Sequence, residues 1–322
     1  MADGPSVGKN EAPIAAARGI GKLDGREKQK LIENGVLPVL VMMLHNQDYD
    51  STEAALFALL NLAFGNERNK VRIVQAGAVA GMLDILQWRK SSLMELSLAG
   101  LSVLSTCSVN RMEIASLGAV RALIGILDSR LTVRQTISNR GMLHILSTLQ
   151  NLSTCVKVVP SFVEAGGLIT LVQLIYGVDN SSELAEKAMG LLETIVSSSE
   201  VALDQVSEVI SMFVECVEEG SMACQEHAVG ILLMICRRCR ERHRGMILRH
   251  GAMPGLMQLS VDGTWAARDK AKALIDLLRD TSSSRGRDSH NAALEEVMRR
   301  IDMDDNLVEE MIAKLRTSTV EE

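Results

Sequence analysis

The sequence predicts an all-α solenoid of stacked helical repeats, and three observations carry that prediction. A short polar–apolar run, then a glycine, then an apolar helix start recurs at Gly35, Gly77, Gly118, Gly166 and Gly251. The spacings are 42, 41, 48 and 85 residues, the last about twice the others, so one repeat has lost its glycine. The composition is 47% hydrophobic, yet it holds only 4 Phe, 2 Tyr, 2 Trp and 5 Pro. The apolar content is therefore Leu, Ile, Val, Ala and Met, of which Leu, Ala and Met favour helices. A helical period of about 40–47 residues belongs to superhelical repeats of two or three helices.

Residues 1–14 read as a disordered N-terminus and residues 15–279 as a solenoid of about six repeats. Ala15–Leu23 resembles the end of a preceding repeat's last helix. The first full repeat begins near Glu27, with a short helix before Gly35, a second from Leu37 to His45, and a polar turn. Ser51 or Asp50 is the expected cap of the third helix, Ala54–Ala63, with Glu53 in its first turn. That helix is apolar nearly all round and should be buried. The glycine supplies either a positive φ or the absence of a side chain where two helices cross.

The second repeat runs from Asn69 to Thr106 and the third from Asn110 to Ser153. The third carries an insertion, 128–136, that should lengthen the turn before its last helix. The fourth spans Val156–Val196. In the fifth, Ser199–Cys236, Val206 and Ser207 stand where the glycine should be. The sixth spans Glu241–Leu278. Residues 280–290 form a polar linker. Beyond it, 291–322 form a helical tail in which Leu294, Val297, Ile301, Val308, Met311 and Leu315 follow a heptad seam. Two readings of that seam stand: a cap over the last repeat, or a dimerisation or partner helix.

Net charge is −6, which gives no electrostatic case for nucleic acid or an anionic membrane. No apolar run approaches the ~20 residues of a transmembrane helix, and the first residues show no secretory pattern. These point to a cytoplasmic or nuclear protein. Six cysteines scattered through apolar stretches read as buried reduced thiols.

The repeat junctions resemble a known family. Residues 67–79 (ERNKVRIVQAGAV), 244–260 (RGMILRHGAMPGLMQLS) and 270–279 (KAKALIDLLR) are similar to the armadillo region of plant U-box proteins and their U-box-less relatives. The resemblance covers roughly residues 15–280 and implies a right-handed armadillo superhelix. A U-box recruits a ubiquitin-charged E2 and normally precedes such repeats. Nothing before Glu27 is long enough to be one, so the expectation is a non-catalytic scaffold that binds a partner protein segment. The alternative is the substrate-recognition part of a U-box-type ubiquitin ligase.

In armadillo solenoids the third helices line a concave groove, and importin-type members grip an extended peptide there with an asparagine on each third helix. Aligning the third helices gives Asn61, Ser102, Asn151 and Glu193 as groove residues, with Leu233 next in the row. Only two are asparagine, and the groove lacks the tryptophans that hold lysine side chains in importins, with Trp88 in an inter-helix turn and Trp265 in the last repeat. Import-type cargo binding is therefore disfavoured. Arg237, Arg238, Arg240 and Arg244 form the densest basic run and a candidate anion patch for an acidic or phosphorylated segment; cations at a helix C-terminus also have a purely structural use.

Cys236, Cys239 and His243 have the types of zinc ligands, but a structural site takes four and no second pair exists. No phosphate loop, nucleophile elbow or dinucleotide fingerprint occurs. No metal and no cofactor are expected, and the 17 methionines read as adaptable core packing.

Overall fold

The computed structural model describes residues 8–46, 48–88, 90–132 and 137–279. The expected linker (280–290), the helical tail (291–322), residues 1–7 and the insertion's residues 133–136 lie outside them. Contacts divide the chain into Met1–Asp276 and Leu277–Glu322, and the description below concerns the first.

Among the described residues every regular element is helical. The leading helix is α1 (Gly8–Gly19). The first repeat holds α2 (Gly25–Glu33), α3 (Val36–His45) and α4 (Tyr49–Ala63); the second α5 (Glu67–Gln75), α6 (Ala78–Gln87) and α7 (Ser91–Ser105). The third holds α8 (Arg111–Ser116), α9 (Ala119–Thr132) and α10 (Asn139–Ser153); the fourth α11 (Val159–Glu164), α12 (Gly167–Tyr176) and α13 (Glu183–Ser198). The fifth holds α14 (Glu200–Val206), α15 (Ile210–Glu219) and α16 (Met222–Arg238), and the sixth α17 (Arg240–Arg249), α18 (Met253–Asp262) and α19 (Trp265–Leu278).

The helix boundaries correct three expectations. Helix α1 starts at Gly8, within the segment read as disordered, because its inner side packs on α4 and buries Ala17, and the 3-10 turn after it buries Ile20 on the same helix. Arg18 adds a 3.1 Å ion pair with Asp50. Helix α4 starts at Tyr49 and is capped by Asp48, whose carboxylate accepts from the Ser51 N–H at 2.9 Å; neither Asp50 nor Ser51 is the cap. The start of the third repeat's insertion continues α9 as helix to Thr132.

Five junction glycines adopt left-handed backbone, with φ of 82° at Gly35, 89° at Gly77, 86° at Gly118, 77° at Gly166 and 78° at Gly251. A Cβ at any of them would meet nothing within 4 Å. The dihedral, not a close approach, is thus what demands glycine, since L-residues pay about 1–2 kcal/mol there. The fifth repeat turns differently. Ser207 stays right-handed (φ −63°) and Ser207–Val209 tighten into a 3-10 turn before α15. Overwinding the chain replaces the left-handed step.

The third helices stack side by side in chain order, α1 on α4, then α7, α10, α13 and α16. Serines begin three of them, with Ser138, Ser182 and Ser221 each accepting a backbone N–H of the first turn, a cap worth ~1 kcal/mol. Among the described residues the buried hydrophobic side chains are aliphatic or sulfur-containing apart from Phe162 and the fully buried Phe213. A second device closes the helix ends. Buried side chains from the following repeat bond a carbonyl near the C-terminus of the preceding third helix. Asn69 Nδ2 donates to Leu62 O (2.9 Å), Asn110 Nδ2 to Leu104 O (3.0 Å) and His243 Nδ1 to Ile235 O (3.0 Å). The first two take up carbonyls left open where their helices end, and Ile235 O also accepts the Cys239 N–H at 3.4 Å.

Candidate functional site

The equivalent carbonyls of Leu62, Leu104 and Ile235 fix the register of the third helices. They place Val103 and Met234 in the row of Asn61, and Leu152 and Ile195, buried at the same place in α10 and α13, add Asn151 and Thr194. Ser102, Glu193 and Leu233 therefore fall one residue short of the row that the sequence alignment gave them. Leu233 is buried accordingly. The error has a physical origin: these helices are apolar on most sides, so a one-residue slide leaves the hydrophobic pattern almost unchanged.

One turn earlier, the same register aligns Phe57, Ala99, Ser147, Gly190 and Gly230. The row shrinks along the chain. At its start Phe57 is 46% exposed, so α4 is not buried all round as expected, and Phe64, just past the helix end, is 83% exposed. At its end the glycines let neighbouring side chains cross the helices. The His227 ring lies over Gly190, its Nε2 3.0 Å from where a Cβ would stand, and the Glu193–Lys270 pair lies over Gly230.

Glu193 is the centre of this network. Its Oε2 is 2.6 Å from His227 Nδ1 on α16, and its Oε1 accepts from Lys270 Nζ on α19 at 2.9 Å. Burial pushes the Glu193 carboxyl upward, but the bonds from His227 and Lys270 outweigh it and hold the group below the usual carboxylate range. Lys270 also bonds Glu226 O, and Thr264 donates to the Glu226 carboxylate. Sequence reasoning singled out Glu193 but missed His227, Lys270 and the two glycines. Aligning the third helices on their buried pairs would have shown the glycines.

Beside the network a cavity of about 470 Å³ opens across α10, α13 and α16. Ser147 and Gly190 lie at its small-residue row, and Gln150, Asn151, Glu186, Thr194 and His227 supply polar walls. Gln150 Nε2 donates to Thr194 Oγ1 (2.8 Å), Asn151 Nδ2 to Ser105 Oγ (3.0 Å), and Ser221 Oγ to Glu186 (2.6 Å). Asn61 instead donates to Phe57 O in its own helix (2.8 Å), and Ser102 is half-buried with its carbonyl bonded to Ser105. The cavity thus takes in Asn151 and Glu193 and leaves out Asn61 and Ser102. A wider cleft of about 690 Å³ lies between α6 and α9, on the second helices.

The basic run is not an open array. Arg238 pairs with Glu200 at 2.8 Å and lies 3.7 Å from Asp204, and Arg242 pairs with Glu208 at 2.9 Å. Arg240 and Arg244 are engaged as well, while Arg237 is exposed at the end of α16. His243 serves the helix end described above. Burial raises the Cys236 thiol, and all six cysteines are free. Among the described residues no group of His, Cys, Asp and Glu is arranged to hold a metal ion.

The family described as the plant U-box protein ARM repeat region matches residues 123–291, and the armadillo/beta-catenin-like repeat matches residues 26–64. The chain is similar to U-box domain-containing protein 45 of Arabidopsis thaliana, 26% identical over 77% of this chain and 32% of that protein. It is similar to U-box domain-containing protein 17 of Arabidopsis thaliana, 28% identical over 83% and 36% respectively. The chain thus spans about a third of the length of the curated relatives it matches. Among solved structures it resembles a designed armadillo repeat protein (TM-score 0.65, 19% identity, 76% of this chain and 100% of that one). It also resembles one in complex with peptide (KR)4 (TM-score 0.63, 20% identity, 76% and 99%). These likenesses establish the armadillo solenoid fold.

Proposed function

We propose, for a chain that belongs to the family of the plant U-box protein ARM repeat region, a non-catalytic scaffold role in which the third-helix face binds a segment of a partner protein. The observation that carries it is the cavity across α10, α13 and α16, whose polar walls keep hydrogen-bonding capacity beyond their internal bonds. Such a face spreads affinity over modest contacts along an extended segment. One armadillo neighbour was solved with a peptide, which accords with this reading. Selection of displayed random peptides on the full chain tests it. Enriched peptides should lose binding to Gln150→Ala/Asn151→Ala and keep it with the second-helix variant Arg121→Ala. Peptides that bind the groove variant as well as the wild type would overturn the reading.

The U-box relatives favour a second reading, in which this chain recognises substrates for a ubiquitin ligase. Incubation with E1, a panel of E2 enzymes and ubiquitin tests whether the chain itself acts as a ligase. Unaided chain formation would overturn the non-catalytic assignment.

A further inference from the structure

The cavity over Ser147 and Gly190 has a lining whose chemistry is lopsided. Internal bonds take up hydrogens and leave most lone pairs open, although each amide keeps its second N–H and Ser147 its hydroxyl. Gln150 and Asn151 each donate from the amide nitrogen to Thr194 and Ser105, and their side-chain oxygens take no partner from the described residues. Thr194 gives its O–H to Gly190 O (2.9 Å), and Ser221 gives its O–H to Glu186. His227 Nδ1 faces the Glu193 carboxylate at 2.6 Å, and a carboxylate only accepts; Nδ1 therefore carries the proton, and in the neutral ring Nε2 is an acceptor. That Nε2 lies over Gly190, where no side chain covers it. The four acceptors are thus Gln150 Oε1, Asn151 Oδ1, the Glu186 carboxylate and His227 Nε2. The one cation of the lining is Lys187, exposed at its rim.

Resting on the scaffold reading above, we infer that this cavity is a side-chain pocket for a guanidinium group, so that the partner segment inserts an arginine between α10, α13 and α16. A phenol or hydroxyl offers one hydrogen to four acceptors. A guanidinium offers five in a planar fork, and it is weakly hydrated enough to enter a half-buried site. A carboxylate or phosphate would find donors only in the second amide N–H groups, the Ser147 hydroxyl and Lys187 at the rim, and would face the Glu186 carboxylate. The charge is also suitable: Lys270 already neutralises Glu193, which leaves Glu186 as the anion available to an entering cation. The small-residue row supplies the depth, since a Cβ on Gly190 would stand 3.0 Å from the His227 ring.

The test uses the full chain with isotope-labelled histidine and n-propylguanidinium as the probe, read by the ring resonances of the six histidines. His227→Gln assigns the signal. The expected result is a saturable shift confined to His227 with a dissociation constant on the order of 1 mM, the range open to a ligand of this size. Ser147→Phe, which fills the pocket, should weaken it at least tenfold while leaving the melting temperature in place. Should Ser147→Phe fail to fold, Gln150→Ala/Asn151→Ala gives the same readout. No saturable shift, an equal shift in the filled variant, or tighter binding of p-cresol or propionate would overturn the pocket. If displayed peptides are still enriched in any of those cases, the scaffold reading stands and only the arginine pocket falls.

Discussion

Glu193 and Lys270 lie 77 residues apart in sequence, yet their carboxylate and ammonium meet at 2.9 Å. The contact passes over α16, the helix between theirs, and Gly230 is what lets it through. A methyl group there would collide with the Glu193 carboxylate and stand 3.0 Å from Lys270 Nζ. Gly230→Ala should therefore destabilise by about 1–3 kcal/mol even though alanine is the better helix former. In a Glu193→Ala background most of that cost should vanish, and a double-mutant cycle by urea unfolding measures the coupling.

The same pair sets a pH dependence. The Glu193 carboxyl titrates below its ordinary value of 4.5 in the fold. Its contribution is complete above that pH and is lost as pH falls through the lower, folded value. Glu193→Gln should be less stable than the wild type near neutrality by about 1–2 kcal/mol, and the two should converge in acid. Parallel melting curves would show a constant gap if the carboxylate's charge were irrelevant.

His144 acts in a different window. Burial first, then repulsion from Arg140, lower its value from the ordinary 6.5, against an opposing pull from Glu95. A histidine that the fold keeps neutral stabilises fully above 6.5, and that contribution declines as pH falls through the folded value. His144→Gln should flatten the loss of stability between about pH 7 and pH 5, with the largest difference at the acid end. Melting temperatures across that range decide it.

At the junction glycines the cost of substitution should follow the dihedral alone. Gly77→Ala should cost about 1 kcal/mol and Gly77→Asn less, because asparagine tolerates left-handed backbone. Gly167→Ala, next to a junction glycine but right-handed, should cost more, because its Cβ would run into the Phe162 ring. The order of the three unfolding midpoints is the check.

Much of the fold was legible in the sequence because the left-handed turn admits little but glycine. The turn therefore leaves a periodic mark at Gly35, Gly77, Gly118, Gly166 and Gly251. The start of α1 was not legible, since a polar, proline-containing segment becomes helical here by packing on α4. Nor was the cap of α4, where Asp48, Asp50 and Ser51 compete within four residues and only the backbone path selects Asp48. The site was harder still. Asn151 and Glu193 could be named from helix alignment, but the partners of Glu193 come from 34 and 77 residues away, and no local pattern joins them. The slide of the register came from helices too uniformly apolar to announce which side faces out.

The helix-end bonds made by Asn69, Asn110 and His243 are missing at two joints, where the buried Val158 and Ala202 stand in the corresponding places. The fifth repeat, which also lacks its glycine, is therefore the least self-sufficient. It is also the repeat that Glu193 and Lys270 bridge from either side. A solenoid usually unravels one repeat at a time, but here the fourth to sixth repeats should open together. Amide hydrogen exchange would then report them as one cooperative block, with shared protection that Glu193→Ala divides into separate steps.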